Sequence, residues 1–262
     1  MRELAGTIET VDGPLDAADL GFTLPHEHLL FDTSAWQLPA ATSHGAALAA
    51  ARVTLETYSD VFHDPLVCAD NLVFFDEEVA AAEAGAFRAA GGTSIIDVTP
   101  RAMGRDVAAI RRVARASGVN VVVGTGHYVQ ATHTPEVVSQ SVDQITEMML
   151  AEIRNGIDGT DVRAGVIGEI GTSGDIHPDE RKTLVAAAQA HVETGLAISV
   201  HCAIPYEKVA LDVVRILEKA GADPARVVLG HMSHTIADLD YHRAAADSGA
   251  VLEYDRFGAE FV

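Results

Sequence analysis

The stretch Gly21-Phe-Thr-Leu-Pro-His-Glu-His-Leu-Leu30 distinguishes between two folds whose strand and helix patterns look alike. It predicts a short β-strand, along which alternate side chains point to the same face, so His26 and His28 lie side by side. An open doubly wound sheet usually carries a glycine-rich phosphate-binding turn after its first strand. This chain carries two imidazoles there instead, which favours a barrel with a metal site at the end of its first strand.

Short β-rich runs alternate with longer helical patterns along the chain, as is typical of a parallel sheet covered by helices. The predicted strands are residues 22–24, 93–98, 120–123, 165–170, 197–200, 226–229 and 250–253. The predicted helices are residues 76–90, 106–117, 139–155, 179–193, 206–220 and 236–248. Because 262 residues suit one α/β barrel, we predict an α/β fold of the (β/α)8 TIM-barrel type, with residues 1–262 in a single domain.

Residues 32–76 separate the first strand from the first helix and contain Trp36, Pro39 and Pro65. The length and irregular pattern of this segment predict an elaborated first loop that lines or covers the pocket. Cys68 and Cys202 are too few for a disulfide framework, so we expect reduced thiols in or near the core.

The charge of the chain argues against two classes of partner. Lys and Arg number 18 against 38 Asp and Glu, and the resulting net charge of −20 repels nucleic-acid phosphates and anionic lipid. No apolar run in the sequence approaches the ~20 residues that span a bilayer, and the first residues lack the long apolar stretch of a signal peptide. We therefore expect a cytoplasmic protein that binds a small-molecule substrate. Whether it forms a homodimer is left open by the sequence.

Four predicted strand ends carry side chains that bind metals. The first strand provides His26 and His28, the fourth Glu169, the fifth His201 and the sixth His231. A lone histidine after an apolar strand is more often a hydrogen-bonded structural residue. Several such histidines with a buried glutamate on one barrel rim are harder to explain in this way, because burying these polar and charged groups costs free energy unless they are paired or bound to metal. Imidazole together with carboxylate suits Zn, Mn, Co or Fe better than Ca or Mg.

These strand ends belong to a larger set of motifs through which the chain resembles the phosphotriesterase family, within the amidohydrolase superfamily of metal hydrolases. Each motif is weak alone, but together and in this order they are specific. In chain order the motifs are Gly21-Phe-Thr-Leu-Pro-His-Glu-His28, Asp97-Val-Thr-Pro, Gly104-Arg-Asp106, Gly124-Thr-Gly-His-Tyr128, Gly165-Val-Ile-Gly-Glu-Ile-Gly-Thr-Ser173, His201, Gly230-His231 and Tyr254-Asp-Arg-Phe-Gly258.

The resemblance implies a site for two divalent metal ions, most often zinc. His26 and His28 would hold the more buried ion and His201 and His231 the more exposed one, with a carboxylate from strand four bridging both. In many relatives this bridge is a carbamylated lysine. The chain has only three lysines, none near strand four, and these are Lys182, Lys208 and Lys219. The resemblance therefore assigns the bridge to Glu169, as in the subgroup that resembles the phosphotriesterase homology protein.

The implied activity is metal-dependent hydrolysis. Two divalent ions lower the pKa of a water held between them, and the resulting hydroxide attacks a carbonyl or phosphoryl centre. We expect a lactone or carboxyl ester first, then a phosphoester. The alternatives are an amide hydrolase, a metal-dependent aldolase or isomerase, and a non-catalytic metal- or ligand-binding barrel.

Two further catalytic residues are implied by the resemblance, each with a structural alternative. Tyr128 would contact substrate or the bridging water, or would be a packed tyrosine at the rim. Arg256 would line the leaving-group pocket, or would form an ion pair with an acidic loop residue. Two other histidines near the site in sequence, His127 and His234, fit no ligand position and are expected to line or support the pocket.

The chain departs from the family pattern at its C-terminal end. Relatives complete the metal site with an aspartate on an eighth strand, whereas this sequence stops at Val262, soon after its seventh strand, so the eighth β/α unit is expected to be absent. We favour a sequence that is part of a longer polypeptide over a unit supplied by another chain or a true truncation. Asp255 is expected to pair with Arg256 or another neighbour rather than to replace the missing aspartate.

The bridge assignment predicts that Glu169→Ala loses at least one metal ion per chain, because both ions lose a shared ligand. His242→Ala should leave metal content unchanged, since His242 lies on a predicted helix away from the strand ends. Metal analysis of the purified variants checks both, and unchanged metal in the first variant would refute the bridge.

Overall fold

The computed structural model describes residues 6–205 and 207–256. Its strands are β1 Thr7–Thr10, β2 Gly13–Asp16, β3 Thr23–Glu27, β4 Phe31–Asp32, β5 Val73–Phe74, β6 Ser94–Asp97, β7 Asn120–Thr125, β8 Val166–Gly171, β9 Ile198–His201, β10 Val227–Leu229 and β11 Val251–Leu252. Its α-helices are α1 Ser43–Ala49, α2 Tyr58–His63, α3 Glu77–Ala89, α4 Val107–Ser117, α5 Pro135–Ser139, α6 Val142–Arg154, α7 Pro178–Thr194, α8 Ala210–Lys219 and α9 Leu239–Asp247.

Seven strands form one parallel sheet in the order β11-β10-β9-β8-β7-β6-β3. Although β3 and β11 lie at opposite ends of this order, His26 Nδ1 in β3 is 3.0 Å from Glu253 Oε2 just after β11. The sheet must therefore curl until its edges approach each other, as the strands of a TIM barrel do. The predicted TIM-barrel-like α/β fold is confirmed, and all seven predicted strands are present.

The core lies between the curled sheet and the helices that cover its outer face. Helix α8 shows how the sequence places this layer, because Val213 and Leu217 are four residues apart, share one helix face and are both buried. Neighbouring strands also approach closely at Gly124, where a Cβ atom would overlap the carbonyl oxygen of Gly168. Glycine at this point therefore lets β7 pack directly against β8, the strand that carries Glu169.

Residues 32–76, predicted as an irregular loop, are largely ordered into elements. The antiparallel pair β4–β5 closes the base of the segment, and α1 and α2 lie between its strands. A small cluster of buried side chains holds the segment together, consisting of Leu48, Val61, Val67 and Cys68. Helical signals this short are weak in a sequence, so the order here comes from packing rather than from periodicity.

The sequence pattern also missed the hairpin of β1 and β2, which precedes the first predicted strand. It packs at the amino end of β7, where the N–H of Val11 donates to the carbonyl of Val121 over 2.8 Å. None of the helices within residues 6–205 and 207–256 is both long and apolar enough to cross a membrane.

Two histidines on helices, His191 in α7 and His242 in α9, are buried. His242 Nδ1 lies 2.7 Å from the hydroxyl oxygen of Tyr254, and its Nε2 lies 3.0 Å from the Thr235 hydroxyl. His191 Nδ1 lies 2.6 Å from the carbonyl of Leu196. Both rings anchor helices to neighbouring loops, so a His242→Ala variant should lose stability while it keeps its metal content.

A buried ion pair ties α6 to β7. Arg105 makes two parallel hydrogen bonds to Glu152, of 2.9 and 2.7 Å, and a third of 2.9 Å to the carbonyl of Gly124. The Thr125 hydroxyl donates to the same carboxylate over 2.6 Å. The arginine side chain is 1% exposed, so its buried positive charge is stabilised by these partners and not by water.

Arg105→Ala should therefore destabilise the protein by about 3–5 kcal/mol, because it leaves the Glu152 carboxylate without its counter-charge. Urea unfolding measures the change. Arg112→Ala is the matched control, since Arg112 makes an equally short pair with Glu77 on the surface, where ion pairs contribute little. Equal unfolding midpoints for the two variants would contradict this role for Arg105.

Candidate metal centre

The carboxylate of Glu169, which is fully buried, lies at the centre of the five predicted ligands. Its Oε1 is 3.1 Å from His26 Nε2, 2.9 Å from His201 Nδ1 and 3.3 Å from His231 Nε2. Its Oε2 is 3.8 Å from His28 Nε2. One carboxylate thus faces four imidazoles that come from β3, β9 and the ends of β3 and β10.

These five residues divide into two groups that share Glu169. The first contains His26, His28 and Glu169, and the second contains Glu169, His201 and His231. In each group the ligand atoms lie within 4.8 Å of one another. The five residues that the resemblance implied as ligands thus lie together, and their binding of two cations stays a prediction.

The choice of Glu169 depended on which face of β8 its side chain occupies. Simple alternation puts Ile167 and Glu169 on the same face. The pairing of β8 with β9 shifts register between Ile167 and Ile170, so alternation is interrupted at this point. The irregularity includes Glu169, whose side chain points to the imidazoles. β-Bulges of this kind commonly change the direction of side chains next to active sites.

Three of the four imidazoles turn one nitrogen to Glu169 and the other to a supporting group. On the far side, His26 Nδ1 lies 3.0 Å from Glu253 Oε2, and His28 Nδ1 lies 3.0 Å from the Thr99 hydroxyl. His231 Nδ1 lies 2.7 Å from Asp255 Oδ2. An acceptor at Nδ1 keeps the proton there and leaves the Nε2 lone pair for a metal.

His201 has the opposite orientation. Its Nδ1 faces Glu169, while its Nε2 is buried without a hydrogen-bond partner among the described residues. The backbone around it is fixed, because both the N–H and the hydroxyl of Thr172 donate to the His201 carbonyl, over 3.1 and 2.7 Å.

Sequence reasoning missed the supporting residues Asp97, Thr99 and Glu253. Asp97 is buried and accepts hydrogen bonds from the N–H groups of Leu29 and Thr99, over 2.8 and 3.0 Å, which fixes the chain on both sides of His28. A signal was available for two of them, because Asp97 and Thr99 lie in a recognised family motif. Glu253 sits at a predicted strand end, but nothing in the sequence places it beside His26, which is 227 residues away.

Asp255 was expected to pair with Arg256 or another neighbour near the rim. Its carboxylate contacts two strand-end histidines, His231 Nδ1 over 2.7 Å and His26 Nδ1 over 3.8 Å. Together the three residues form another group whose ligand atoms lie within 4.8 Å of one another. Phe257 and Gly258 of the same motif lie outside the described residues.

The charges of the cluster determine its pKa values. Burial by itself would raise the pKa of Glu169, but His26 and His201 hold it well below its usual value. Burial would lower the pKa of His26, yet Glu169 and Glu253 raise it well above the ordinary value. Burial lowers the pKa of His28 to about 4 despite the nearby Glu169. The carboxylate is therefore ionised, and His28 is neutral, at neutral pH.

Tyr128 and Arg256 both lie near the second group. The Tyr128 hydroxyl is 3.3 Å from His201 Nδ1. Burial and then the charge of Glu169 raise the pKa of Tyr128 well above its usual value, while the neighbouring Trp36 side chain and the charge of Arg256 act in the opposite direction. Tyr128 is thus a protonated hydroxyl at neutral pH, and the guanidinium of Arg256 is close enough to act on it.

The pKa of His234 depends on the same charges. Burial lowers its pKa first, and the charges of Arg256 and His231 lower it further. His127 follows β7 in the chain, where burial lowers its pKa to about 4 and its ring contacts His133 at a centroid distance of 6.0 Å.

The donor set fits a pair of borderline divalent cations. A fully buried carboxylate among partly neutral imidazoles is costly without a compensating positive charge. His26 Nε2 and Glu169 Oε2 are both buried and point into the cluster without completing a hydrogen bond. Imidazole nitrogens with a shared carboxylate are the ligands that zinc and its neighbours prefer.

The chain is similar to known proteins in sequence and in fold. The model of the phosphotriesterase family matches residues 6–262. An N-acetyltaurine hydrolase from Tetraodon nigroviridis is 36% identical over 265 residues, which cover 100% of this chain and 75% of that protein.

Two crystal structures extend the comparison. A resiniferatoxin-binding protein from Rhodobacter sphaeroides superimposes with a TM-score of 0.96 at 40% identity, over 98% of this chain and 72% of that one. A phosphotriesterase homology protein from Escherichia coli, complexed with phosphate in its active site, gives a TM-score of 0.72 at 32% identity, over 92% of this chain and 72% of that one.

The support given to His26 by Glu253 leads to a prediction. Glu253→Gln should weaken zinc binding by about 10–100-fold, because the amide no longer holds the proton on Nδ1 as a carboxylate does. Equilibrium dialysis against a competing chelator measures the affinity. Glu218→Gln, an exposed position on α8, makes the same chemical change as a control. Equal zinc affinities for the two variants would show that Glu253 does not support the site.

Proposed function

Because the chain belongs to the phosphotriesterase family, we propose that it is a hydrolase that uses two divalent cations, most plausibly zinc, to cleave a carboxylic-acid derivative. One observation carries the proposal. The buried carboxylate of Glu169 lies between 2.9 and 3.8 Å from a nitrogen of each of four imidazoles. Side chains that meet in this way serve no evident purpose in packing, whereas two cations would use every one of them.

Each of the two cations would have two histidine ligands of its own and would share the glutamate. His26 and His28 would bind one ion, His201 and His231 the other, and Glu169 both. When bound, such a pair supplies a nucleophile from water at neutral pH and a Lewis acid for the substrate oxygen.

Tyr128 has the properties of a hydrogen-bond donor to substrate. Its raised pKa keeps the hydroxyl protonated, and its position 3.3 Å from His201 Nδ1 puts it beside the group that would hold the more exposed ion. A donor placed there can stabilise negative charge as it develops on a carbonyl oxygen. Arg256 adds a positive charge near the same point.

The substrate class follows from the relatives and from charge. N-acetyltaurine hydrolases, the relatives at 33–36% identity, are named for cleaving an N-acyl amide with an anionic amine component. In a chain with a net charge of −20, an anionic substrate needs a local cation, and Arg256 can provide one. These arguments favour an N-acyl amide over the lactone or carboxyl ester that the sequence first suggested.

A substrate panel tests the proposal. Metal-free protein is reconstituted with zinc and assayed on an anionic N-acyl amide, a δ-lactone, an aryl ester and a phosphotriester. We expect zinc-dependent turnover that is fastest for the amide, and a loss of about 100-fold or more in kcat for Glu169→Gln, because a bridging ligand is lost. Glu218→Gln should keep the wild-type rate.

Two outcomes of this assay would contradict the proposal. Stoichiometric zinc without turnover of any compound would favour the non-catalytic binding barrel. Turnover that survives removal of metal by a chelator would contradict the role of the cation pair.

A further inference from the structure

Trp36 is the chain's only tryptophan, and it lies beside the proposed metal centre although it belongs to the segment between β3 and α3. Its ring centroid is 6.1 Å from that of Tyr128, in an edge-to-face arrangement, and 6.4 Å from that of His201. No other described residue of the segment 32–76 has a ring contact with a proposed ligand. Trp36 therefore forms a wall over one side of the site.

The backbone holds this wall in place. Residues Ser34–Trp36 form a 3₁₀ turn, in which the Trp36 N–H donates to the Thr33 carbonyl over 2.9 Å. Thr33 is in turn tied to Leu72 through both its N–H and its hydroxyl, over 2.7 and 2.9 Å. The indole packs against a buried cluster of Met103, Tyr128 and Val129. The position is thus fixed by the folded segment rather than by a free loop.

The indole also contacts Tyr128 edge to face, and the Tyr128 hydroxyl lies 3.3 Å from His201 Nδ1. The aromatic wall is thus continuous from Trp36 to the His201 side of the site.

We propose that Trp36 is a specificity-determining residue, because its ring limits the room for the acyl group of the substrate over the Glu169–His201–His231 group. The inference rests on the proposed hydrolase function, so its test includes a measurement that needs no turnover.

Fluorescence provides that measurement, because all tryptophan emission comes from one side chain near His201. Co²⁺ quenches an indole at short range. Titration of metal-free protein with Co²⁺ should therefore quench the emission in proportion to the ion bound, which equilibrium dialysis measures in parallel. Glu169→Ala should lose quenching and binding together. Bound Co²⁺ without quenching would overturn the placement of Trp36 alone, whereas absence of Co²⁺ binding would overturn the proposed function and this inference with it.

Two substitutions test the wall. Trp36→Ala should raise kcat/KM for a long-chain N-acyl amide relative to the N-acetyl compound by about tenfold or more, because the acyl side of the pocket opens. Trp36→Phe should keep the wild-type preference, because a phenyl ring still fills most of that side of the pocket.

Phe31→Leu is the control, because Phe31 packs near the same cluster but has its ring contact with Phe74. This variant should leave the acyl preference unchanged. An acyl preference unchanged by Trp36→Ala, or changed equally by Phe31→Leu, would overturn the proposal.

Discussion

The structure depends on one electrostatic requirement, which is the compensation of a carboxylate that has no access to water. Glu169 is fully buried at the end of β8, and four imidazoles surround it within hydrogen-bonding or ion-pair distance. A charge in this position is tolerated only when neighbouring groups or bound cations offset it. The strand ends, the close approach of β7 and β8 at Gly124, and the register shift in β8 all serve to bring that carboxylate and its partners together.

Support for the imidazoles extends outward in a consistent way. Glu253, Thr99 and Asp255 each lie on the far nitrogen of a histidine whose near nitrogen faces Glu169. Asp97 then fixes the backbone on both sides of His28. These contacts fix the orientation of three of the proposed ligands, and ligands held in this way lower the cost of binding a metal.

Much of this could be predicted from the sequence. The family, the TIM-barrel-like α/β fold and the hydrolase class are confirmed, because apolar runs followed by polar residues reveal strand ends and because the motifs occur in the family's order. Contacts between residues distant in the chain were not predictable. Nothing in local pattern places Glu253 beside His26, Trp36 beside His201, or Asp255 beside His231, since each pairing depends on how far the sheet curls and on how the segment 32–76 folds.

The contact of His26 with Glu253 has a consequence for when the proposed metal site forms. One partner is made 227 residues before the other, so the complete cluster cannot exist on a nascent chain until nearly all the described strands have emerged and paired. Until then His26 and His28 offer only a two-histidine fragment, which binds borderline cations weakly. Loading with metal is therefore a late event, and a cation captured by the full cluster would stabilise the completed fold over its partly formed precursors.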